Sequence, residues 1–215
     1  MGLTKSTIYK KPEYTITTSW DDGGILDIKI AELLSRYNLP GTFYPVVDWI
    51  GKEGYMSWQQ IIELDKQGFK IGSHTCSHPQ DLKPLFDEEL FFEIQTSKDL
   101  IETALGHKIS SFCYPRGRYD NRVRDKVVEA GYAEARGTGT PGILIVKDTY
   151  ALPGTIHIYQ RPEYGKQSIL EFAMSKLERL KKEGGYCNIF GHSREIDRDK
   201  NWEVLEKILL AVTQL

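Results

Sequence analysis

Residues 14–24 read YTITTSWDDGG and combine a strand-like run with two adjacent carboxylates. The first five residues are β-branched or aromatic, and the run ends at Asp21 and Asp22, which two glycines follow. Neighbouring side chains of a strand point to opposite faces, and like charges that lie close together raise each other's pKa. The pair therefore predicts either a solvated turn or a site at which negative charge is useful.

Strand-like segments alternate with helical apolar spacings along the whole chain. The predicted strands are 14–20, 42–47, 69–73, 110–114, 142–146 and 186–190. Between them apolar residues recur at helical spacing, as do Ile30, Leu33 and Leu34, and glycine or proline ends several of these stretches. Such uninterrupted alternation predicts βα units and a mostly parallel sheet. We expect an α/β fold, a small or incomplete (β/α) barrel of about seven units, with residues 1–215 as one domain.

The composition is that of an ordinary globular protein and argues against several other classes. The chain has 215 residues, of which 40% are hydrophobic and 27% are charged. The net charge of -2 gives no bulk attraction to nucleic acid or to an acidic membrane. No stretch approaches the roughly 20 apolar residues that span a bilayer. The start lacks the apolar core of a secretory signal, and three cysteines are too few for a disulfide framework. We expect a cytoplasmic protein, or an exported one if a leader was removed.

Polar side chains follow several predicted strands at the point where each strand ends. The two aspartates end the first strand, and the sequence SHTCSH brings His74 and His78 after the third. The sequence PRGRYD follows the fourth strand, and GHSREID brings His192 after the last. In folds built from βα units the functional site lies at the carboxyl ends of the strands. We therefore expect these groups to meet at one rim.

His74 and His78 have the spacing H-x-x-x-H, which lets both imidazoles reach one ion from a helical turn or a compact loop. A carboxylate from another strand end would complete a catalytic divalent site, commonly a zinc site, in which water fills an open position. One aspartate of the pair would then bind the ion, while the other would take a proton from the bound water. The cation would offset the cost of adjacent negative charges.

Each of these features also has a purely structural interpretation. The sequence Asp-Asp-Gly-Gly is by composition an ordinary turn, and His192 could simply cap the turn in which it lies. His107 follows a glycine at a predicted helix end, where the helix dipole favours an exposed histidine. Cys76, between the two histidines, is a less favoured zinc ligand than the aspartate. Cys113 and Cys187 lie in apolar strand segments and are expected in the core.

Four ordered segments resemble the motif series of the polysaccharide deacetylase superfamily, which is carbohydrate esterase family four. The segments are SWDDGG, HTCSH, FCYPRGRYD and IFGHSREI. The resemblance extends from about Tyr14 to Val212, and four motifs in the right order are more specific than any one of them. It implies a distorted (β/α) barrel with about seven strands and a metal-dependent N-deacetylase.

The resemblance also implies roles for residues of this sequence. Asp21 matches the catalytic base, and His192 matches the histidine that protonates the leaving amine. The metal ligands that it implies are Asp22, His74 and His78. The oxyanion donor that it implies is a backbone N–H around Tyr114, Pro115 and Arg116. The cofactor would be a divalent metal, in the first place Zn²⁺, that polarises the acetyl carbonyl and activates water.

The sequence departs from the family pattern at two places. Many members place an arginine where Cys113 stands, and that arginine holds the catalytic aspartate; Arg116 or Arg118 is the expected substitute here. The family's aspartate that orients the acid histidine has no obvious counterpart, and Asp148 is the expected candidate. The residues expected to line the substrate groove are His157 and Glu195.

The leading hypothesis is a metal-dependent hydrolase that removes N-acetyl groups from an amino sugar, an oligosaccharide or a glycan precursor. One alternative is a hydrolase of a non-carbohydrate amide, imide or ureide bond on the same scaffold, and another is a catalytically silent glycan-binding protein. Retention of the base, the acid and the ligands argues against the silent protein, while fold-level analogy does not choose a substrate. The expected partner is a carbohydrate or an N-acylated small molecule, with no nucleic acid and no membrane span.

Overall fold

Parallel strands alternate with helices in the part of the chain that the structure describes. The structure is a computed structural model and describes residues 13–139 and 146–215. The strands are β1 (Tyr14–Asp22), β2 (Thr42–Pro45), β3 (Lys70–Ile71), β4 (Ser111–Cys113), β5 (Glu134–Arg136), β6 (Ile156–His157) and β7 (Gly185–Gly191). The helices are α1 (Asp27–Arg36), α2 (Trp58–Lys66), α3 (Asp87–Phe91), α4 (Ser97–Leu105), α5 (Asn121–Glu129), α6 (Ile169–Glu183), α7 (Ser193–Arg198) and α8 (Trp202–Val212). Among these described helices, none has the length and apolar character that crossing a bilayer requires.

The strands form a ring that short bridges complete. Hydrogen bonds join β3, β2, β1, β7 and β6 in that order, and β4 pairs with β5; all of these pairings are parallel. On one side Ser73, just after β3, bridges to Phe112 of β4. On the other side Leu152 bridges to Arg136 of β5, and the chain then continues into β6 beside β7. The expected distorted (β/α) barrel is confirmed.

β1 separates a polar barrel interior from an apolar layer beneath the helices. Trp20 is fully buried and belongs to the apolar core. On the opposite face of the strand, Thr17 and Ser19 form hydrogen bonds of 2.8 and 3.1 Å to the side chain of Asn188 on β7. Asp21 continues this inward-facing series at the two-residue period of a strand. The alternation therefore places a carboxylate inside the barrel at the carboxyl end of β1.

Local sequence signals set the ends of the helices. The Ser57 hydroxyl accepts the N–H of Gln60 at 3.3 Å, and the Gln60 side chain accepts the N–H of Ser57 at 2.8 Å, which forms a capping box at the start of α2. Ser168 and Glu171 form the same arrangement at α6. α4 ends at Gly106, whose φ of 78° lies in the left-handed region that glycine adopts without strain.

Two short strands and one irregular turn differ from the predicted elements. β5 and β6 have three and two residues, and the sequences EAR and IH contain no apolar run that would predict a strand. The helical spacing of Leu90, Ile94, Ile101 and Leu105 predicts one long helix, but Phe92–Thr96, between α3 and α4, forms a π-helical turn. The predicted strand 142–146 lies outside the described residues except for Val146, which belongs to no strand.

Candidate active site

The two aspartates that end β1 point to different surroundings. Asp21 is 2% exposed and forms an ion pair with Arg136 inside the barrel. Asp22 has a φ of 76°, so the backbone turns there, and its side chain approaches His74 and His78 instead. This turn separates the two carboxylates, and it explains how neighbouring residues can carry two negative charges at one strand end.

Asp22, His74 and His78 form a cluster whose ligand atoms are close enough to share one ion. Asp22 Oδ1 lies 3.8 Å from His74 Nε2 and 3.9 Å from His78 Nε2. The three ligand atoms all lie within 4.8 Å of one another. Asp22 Oδ1 is buried and has no hydrogen-bond partner among the described residues. Zinc binds nitrogen and oxygen ligands at about 2 Å, so an ion between the three atoms would satisfy this oxygen.

Hydrogen bonding and burial keep both imidazoles in the form that binds metals. His74 Nδ1 lies 2.8 Å from the carbonyl oxygen of Cys113, which can only accept, so Nδ1 carries the proton and Nε2 presents a lone pair to Asp22. Burial lowers the pKa of His74 below its ordinary value. Burial also lowers the pKa of His78 to about 4, and the nearby His74 and Arg116 act in the same direction. Two neutral imidazoles and one carboxylate fit a divalent ion.

Arg136, rather than Arg116 or Arg118, holds Asp21. Arg136 is 1% exposed, and its Nη2 donates a hydrogen bond to Asp21 Oδ1. The parallel pairing of β4 with β5 places Arg136 beside Cys113, whose Sγ lies 3.1 Å from the same Nη2. The prediction for Arg116 and Arg118 is wrong because the guanidinium comes from the next strand of the barrel. Arg118 is exposed and donates to a backbone carbonyl of a neighbouring loop.

Asp21 is ionised although it is buried. Burial by itself would raise the pKa of this carboxyl, but Arg136, together with His74 and His192, holds the pKa below its ordinary value. Asp21, His74 and Cys113 also bring ligand-type atoms together. Burial, however, raises the pKa of the Cys113 thiol well above its ordinary value, so the sulfur keeps its proton. Asp21 is therefore placed as a proton acceptor rather than as a ligand.

His192 is held by Glu195 and is protonated at neutral pH. His192 Nδ1 lies 2.7 Å from Glu195 Oε2, where the chain enters α7. Burial lowers the pKa of His192, but Glu195 and the two aspartates at the end of β1 prevail and raise it to about 9. His192 lines the same cavity as Asp21. A proton donor and a proton acceptor therefore face one space.

Two predictions about the surroundings of His192 are wrong. Asp148 does not orient His192, since its carboxylate pairs with Arg124 at 2.9 and 3.1 Å. His157 does not line a groove, since it is buried and stacks on an aromatic ring of β7 with the ring centroids 4.4 Å apart. Its Nε2 lies 3.5 Å from Glu195 Oε2. Glu195, which follows His192 by three residues, makes the contact with the His192 ring that was predicted for Asp148.

The segment predicted to donate to an oxyanion follows β4. Tyr114 is buried, and Pro115–Gly117 forms a short 3-10 turn. The N–H of Tyr114 donates to the carbonyl of Arg136 at 2.9 Å, and proline has no N–H. Of the three predicted residues, Arg116 therefore has the candidate N–H, and its φ of 57° is left-handed. The oxyanion role itself stays a prediction.

Residues that the sequence patterns did not single out complete the cavity. It has a volume of about 190 Å³, and beside the two aspartates it is lined by Glu53, Tyr55 and Arg194. The ring centroids of Tyr55 and Trp49 lie 5.1 Å apart, and those of Trp49 and His78 lie 5.3 Å apart. Trp49 closely follows the predicted strand 42–47, and a tryptophan near such a strand end can stack on a sugar ring. Aromatic faces beside the ligand cluster suit the apolar face of a sugar ring.

Asp27 is a further acid near the site that the sequence patterns did not mark. It is fully buried at the start of α1. Burial raises the pKa of Asp27 to about 8, and the nearby Asp22 and Asp21 act in the same direction. Asp27 is therefore protonated at neutral pH and adds no third negative charge beside Asp21 and Asp22.

A comparison with family models agrees with the geometry of the site. The model described as polysaccharide deacetylase matches residues 9–135, which is more than half of the chain. The chain belongs to the polysaccharide deacetylase family. YxkH of Bacillus subtilis (strain 168), a protein named for the same family, is 27% identical over 125 residues. The match covers 57% of this chain and 44% of that protein, so the chain spans less than half the length of this relative.

Solved structures with the same fold include a deacetylase and a pseudoenzyme. The deacetylase PplD of Streptococcus pyogenes, in complex with acetate, matches with a TM-score of 0.59 and 22% identity over 63% of this chain and 61% of that one. The CE4 family pseudoenzyme BA3943 of Bacillus anthracis matches with a TM-score of 0.64 and 14% identity over 95% and 62%. A BA3943 mutant with restored enzymatic activity matches with a TM-score of 0.68 and 15% identity, and the match covers 95% of this chain and 64% of that one. At these identities the matches establish the distorted (β/α) barrel and leave activity to the site residues.

Replacing Arg136 by leucine should leave the Asp21 carboxylate buried without its partner. Removing one side of a buried ion pair costs about 3–5 kcal/mol, so the free energy of unfolding of Arg136→Leu, measured by urea titration at pH 7, should fall by that amount. Arg136→Leu combined with Asp21→Asn should recover most of the loss, because asparagine carries no charge. Arg118→Leu is the exposed control and should change stability by less than about 0.5 kcal/mol. A loss in Arg136→Leu no larger than that of the control would contradict the pairing.

Removing the charge of Glu195 should lower the pKa of His192. The carboxylate stabilises the protonated imidazole, so in Glu195→Gln the proton should leave at a lower pH than the value of about 9. An NMR titration of the His192 ring measures this shift directly. The alkaline limb of the rate profile should move to lower pH with it. Asp148→Asn is the matched control, and a pKa change there as large as in Glu195→Gln would restore Asp148 as the orienting acid.

Proposed function

We propose that the chain is a metal-dependent hydrolase that removes N-acetyl groups from an amino sugar, an oligosaccharide or a glycan precursor. The observation that carries the proposal is the set of three distinct groups around one site. They are an ionised Asp21 paired with Arg136, a protonated His192 and a separate cluster of metal ligands. Membership of the polysaccharide deacetylase family supports the substrate class.

Asp22, His74 and His78 would hold the ion, which we propose to be zinc. Two neutral imidazoles and one carboxylate are the ligand set of many catalytic zinc sites, which keep a position open. A divalent ion held there would polarise the acetyl carbonyl and lower the pKa of water. The hydrogen bond from His74 Nδ1 to the carbonyl of Cys113 would fix the orientation of that ligand.

Asp21 would take the proton from the attacking water. Its carboxylate is ionised because Arg136 outweighs the effect of burial, and the same contact fixes its orientation. The N–H of Arg116 would donate to the oxygen of the tetrahedral intermediate, and a donor of this kind is worth about 3 kcal/mol of the barrier. Asp21 lies at the end of β1 and Arg116 follows β4, so both groups lie at carboxyl ends of strands, where barrels of this kind carry their functional groups.

His192 would give a proton to the leaving amine. An amine leaves poorly as an anion, so cleavage of the C–N bond needs a proton donor that is still protonated at the working pH. The pKa of about 9 supplies one, and Glu195 holds the ring. Opposite pKa shifts of an acid and a base in one cavity are typical of catalytic pairs. They support catalysis over a silent glycan-binding protein.

Acetate release tests the substrate class. Chitooligosaccharides, lipids that carry N-acetylglucosamine and simple N-acyl amides are offered to the zinc-loaded protein, and acetate is measured in each case. We expect release from one or both glycan substrates, since the rings of Trp49 and Tyr55 and the family both favour a sugar. Release from the simple amides alone would favour the alternative hydrolase, and no release from any substrate would favour the silent protein.

Two substitutions separate metal binding from proton transfer. Asp21→Asn should abolish turnover but keep about one divalent ion per chain, because Asp21 is not a ligand in the scheme, whereas His74→Ala should lose both. Metal analysis and the acetate assay measure the two properties. His107→Ala is the control, since His107 is exposed and bonded to Asp65 outside the site. Turnover retained in Asp21→Asn would remove the proposed base.

A further inference from the structure

The loop that carries both histidines has an unusual backbone. Thr75 and His78 adopt φ values of 71° and 57°, in the left-handed region that residues with side chains rarely occupy. Such conformations persist only where the surrounding structure holds them, and they cluster at functional sites. Contacts from outside the loop must therefore fix the orientation of the two imidazoles.

Glu93 makes such contacts from the turn between α3 and α4. Glu93 is 6% exposed, and its Oε2 accepts the backbone N–H groups of Cys76 and Ser77 at 3.0 and 2.9 Å. Its Oε1 accepts the hydroxyl of Ser77. The described hydrogen bonds of this carboxylate therefore all go to the loop between the two histidines.

The π-helical turn Phe92–Thr96 brings a second group to the same loop. Ser97 directly follows this turn and lies 2.7 Å from Ser73 Oγ, which accepts the N–H of Thr75 at 3.2 Å. The Ser97 hydroxyl also donates to the Glu93 carbonyl at 2.7 Å. Such π turns are frequent at functional sites. The π-helical turn and the start of α4 therefore hold the histidine loop at two points, through Glu93 and through Ser97.

We propose that Glu93 is a positioning residue of the metal site, whose carboxylate fixes the loop so that both imidazoles face Asp22 before an ion binds. The inference rests on the proposed function in one respect, the ligand cluster of Asp22, His74 and His78. Glu93 is not itself a ligand, since its oxygens are engaged by the loop. Ligands that are already arranged bind an ion more tightly, because less order has to be created on binding.

The test compares Glu93→Gln with a matched variant in α4, the helix that follows the π-helical turn. Glutamine keeps the size of the side chain, and its amide oxygen can still accept the two backbone N–H groups, but it lacks the negative charge that strengthens those hydrogen bonds, and its N–H₂ group cannot accept the hydroxyl of Ser77. Titration of metal-free protein with Co²⁺, followed by visible absorption, measures affinity without turnover. We expect about 10- to 100-fold weaker binding in Glu93→Gln. Glu102→Gln is the control, since Glu102 is a buried acid bonded to Lys108 and Ile109, and it should keep the wild-type affinity.

The outcomes separate this proposal from the proposed function. A wild-type protein that binds no Co²⁺ contradicts the metal site, whereas equal affinity in wild type and Glu93→Gln overturns the role of Glu93 alone. An equal loss of affinity in Glu102→Gln also overturns it, because the effect would then be general to the helix. If Glu93→Gln does not fold, Ser77→Ala takes its place, since it removes one donor from an exposed residue. It should weaken Co²⁺ binding about fivefold, and unchanged affinity would overturn the proposal.

Discussion

The site depends on the separation of two adjacent carboxylates at the end of one strand. Strand alternation sends Asp21 into the barrel, and the left-handed backbone of Asp22 turns the next carboxylate toward the histidines. Arg136 neutralises the first carboxylate, whereas the second keeps a buried oxygen without a hydrogen-bond partner among the described residues. A cation bound to Asp22 would neutralise the second carboxylate. A proposed base and a proposed metal ligand can therefore be neighbours in sequence.

Three histidines of one rim differ in protonation because their surroundings differ. Burial lowers the pKa of His74 and of His78, which leaves both imidazoles neutral and able to bind a metal. Burial acts in the same direction on the partly buried His192, but Glu195 and the nearby aspartates outweigh it and keep the ring charged. In the cluster of His157, His192 and Glu195, the hydrogen bond between Glu195 and the charged His192 ring therefore favours a proton donor over a metal site. One residue type can therefore serve both the proposed ligands and the proposed acid, because the barrel gives each ring different neighbours.

The sequence predicted the alternation of elements and the groups at the strand ends, but not the residues that hold those groups. Arg136 lies 115 residues after Asp21, in a three-residue strand without an apolar run, so neither spacing nor periodicity indicates their contact. Glu195 was recognised as a candidate but assigned to the groove. Its position three residues after His192, at the start of a helix, was the available signal. Glu93 belongs to no recognisable sequence motif, since only the folded loop shows which backbone N–H groups donate hydrogen bonds to its carboxylate.

Whether Asp22, His74 and His78 hold an ion matters most, because the same barrel occurs in a deacetylase and in a pseudoenzyme. Diffraction data from crystals grown with zinc, collected at the zinc absorption edge, locate the ion directly. We predict one anomalous peak about 2 Å from Asp22 Oδ1, His74 Nε2 and His78 Nε2. The absence of a peak there, or a peak bonded to Asp21 and Cys113, would contradict the separation of base and ligand.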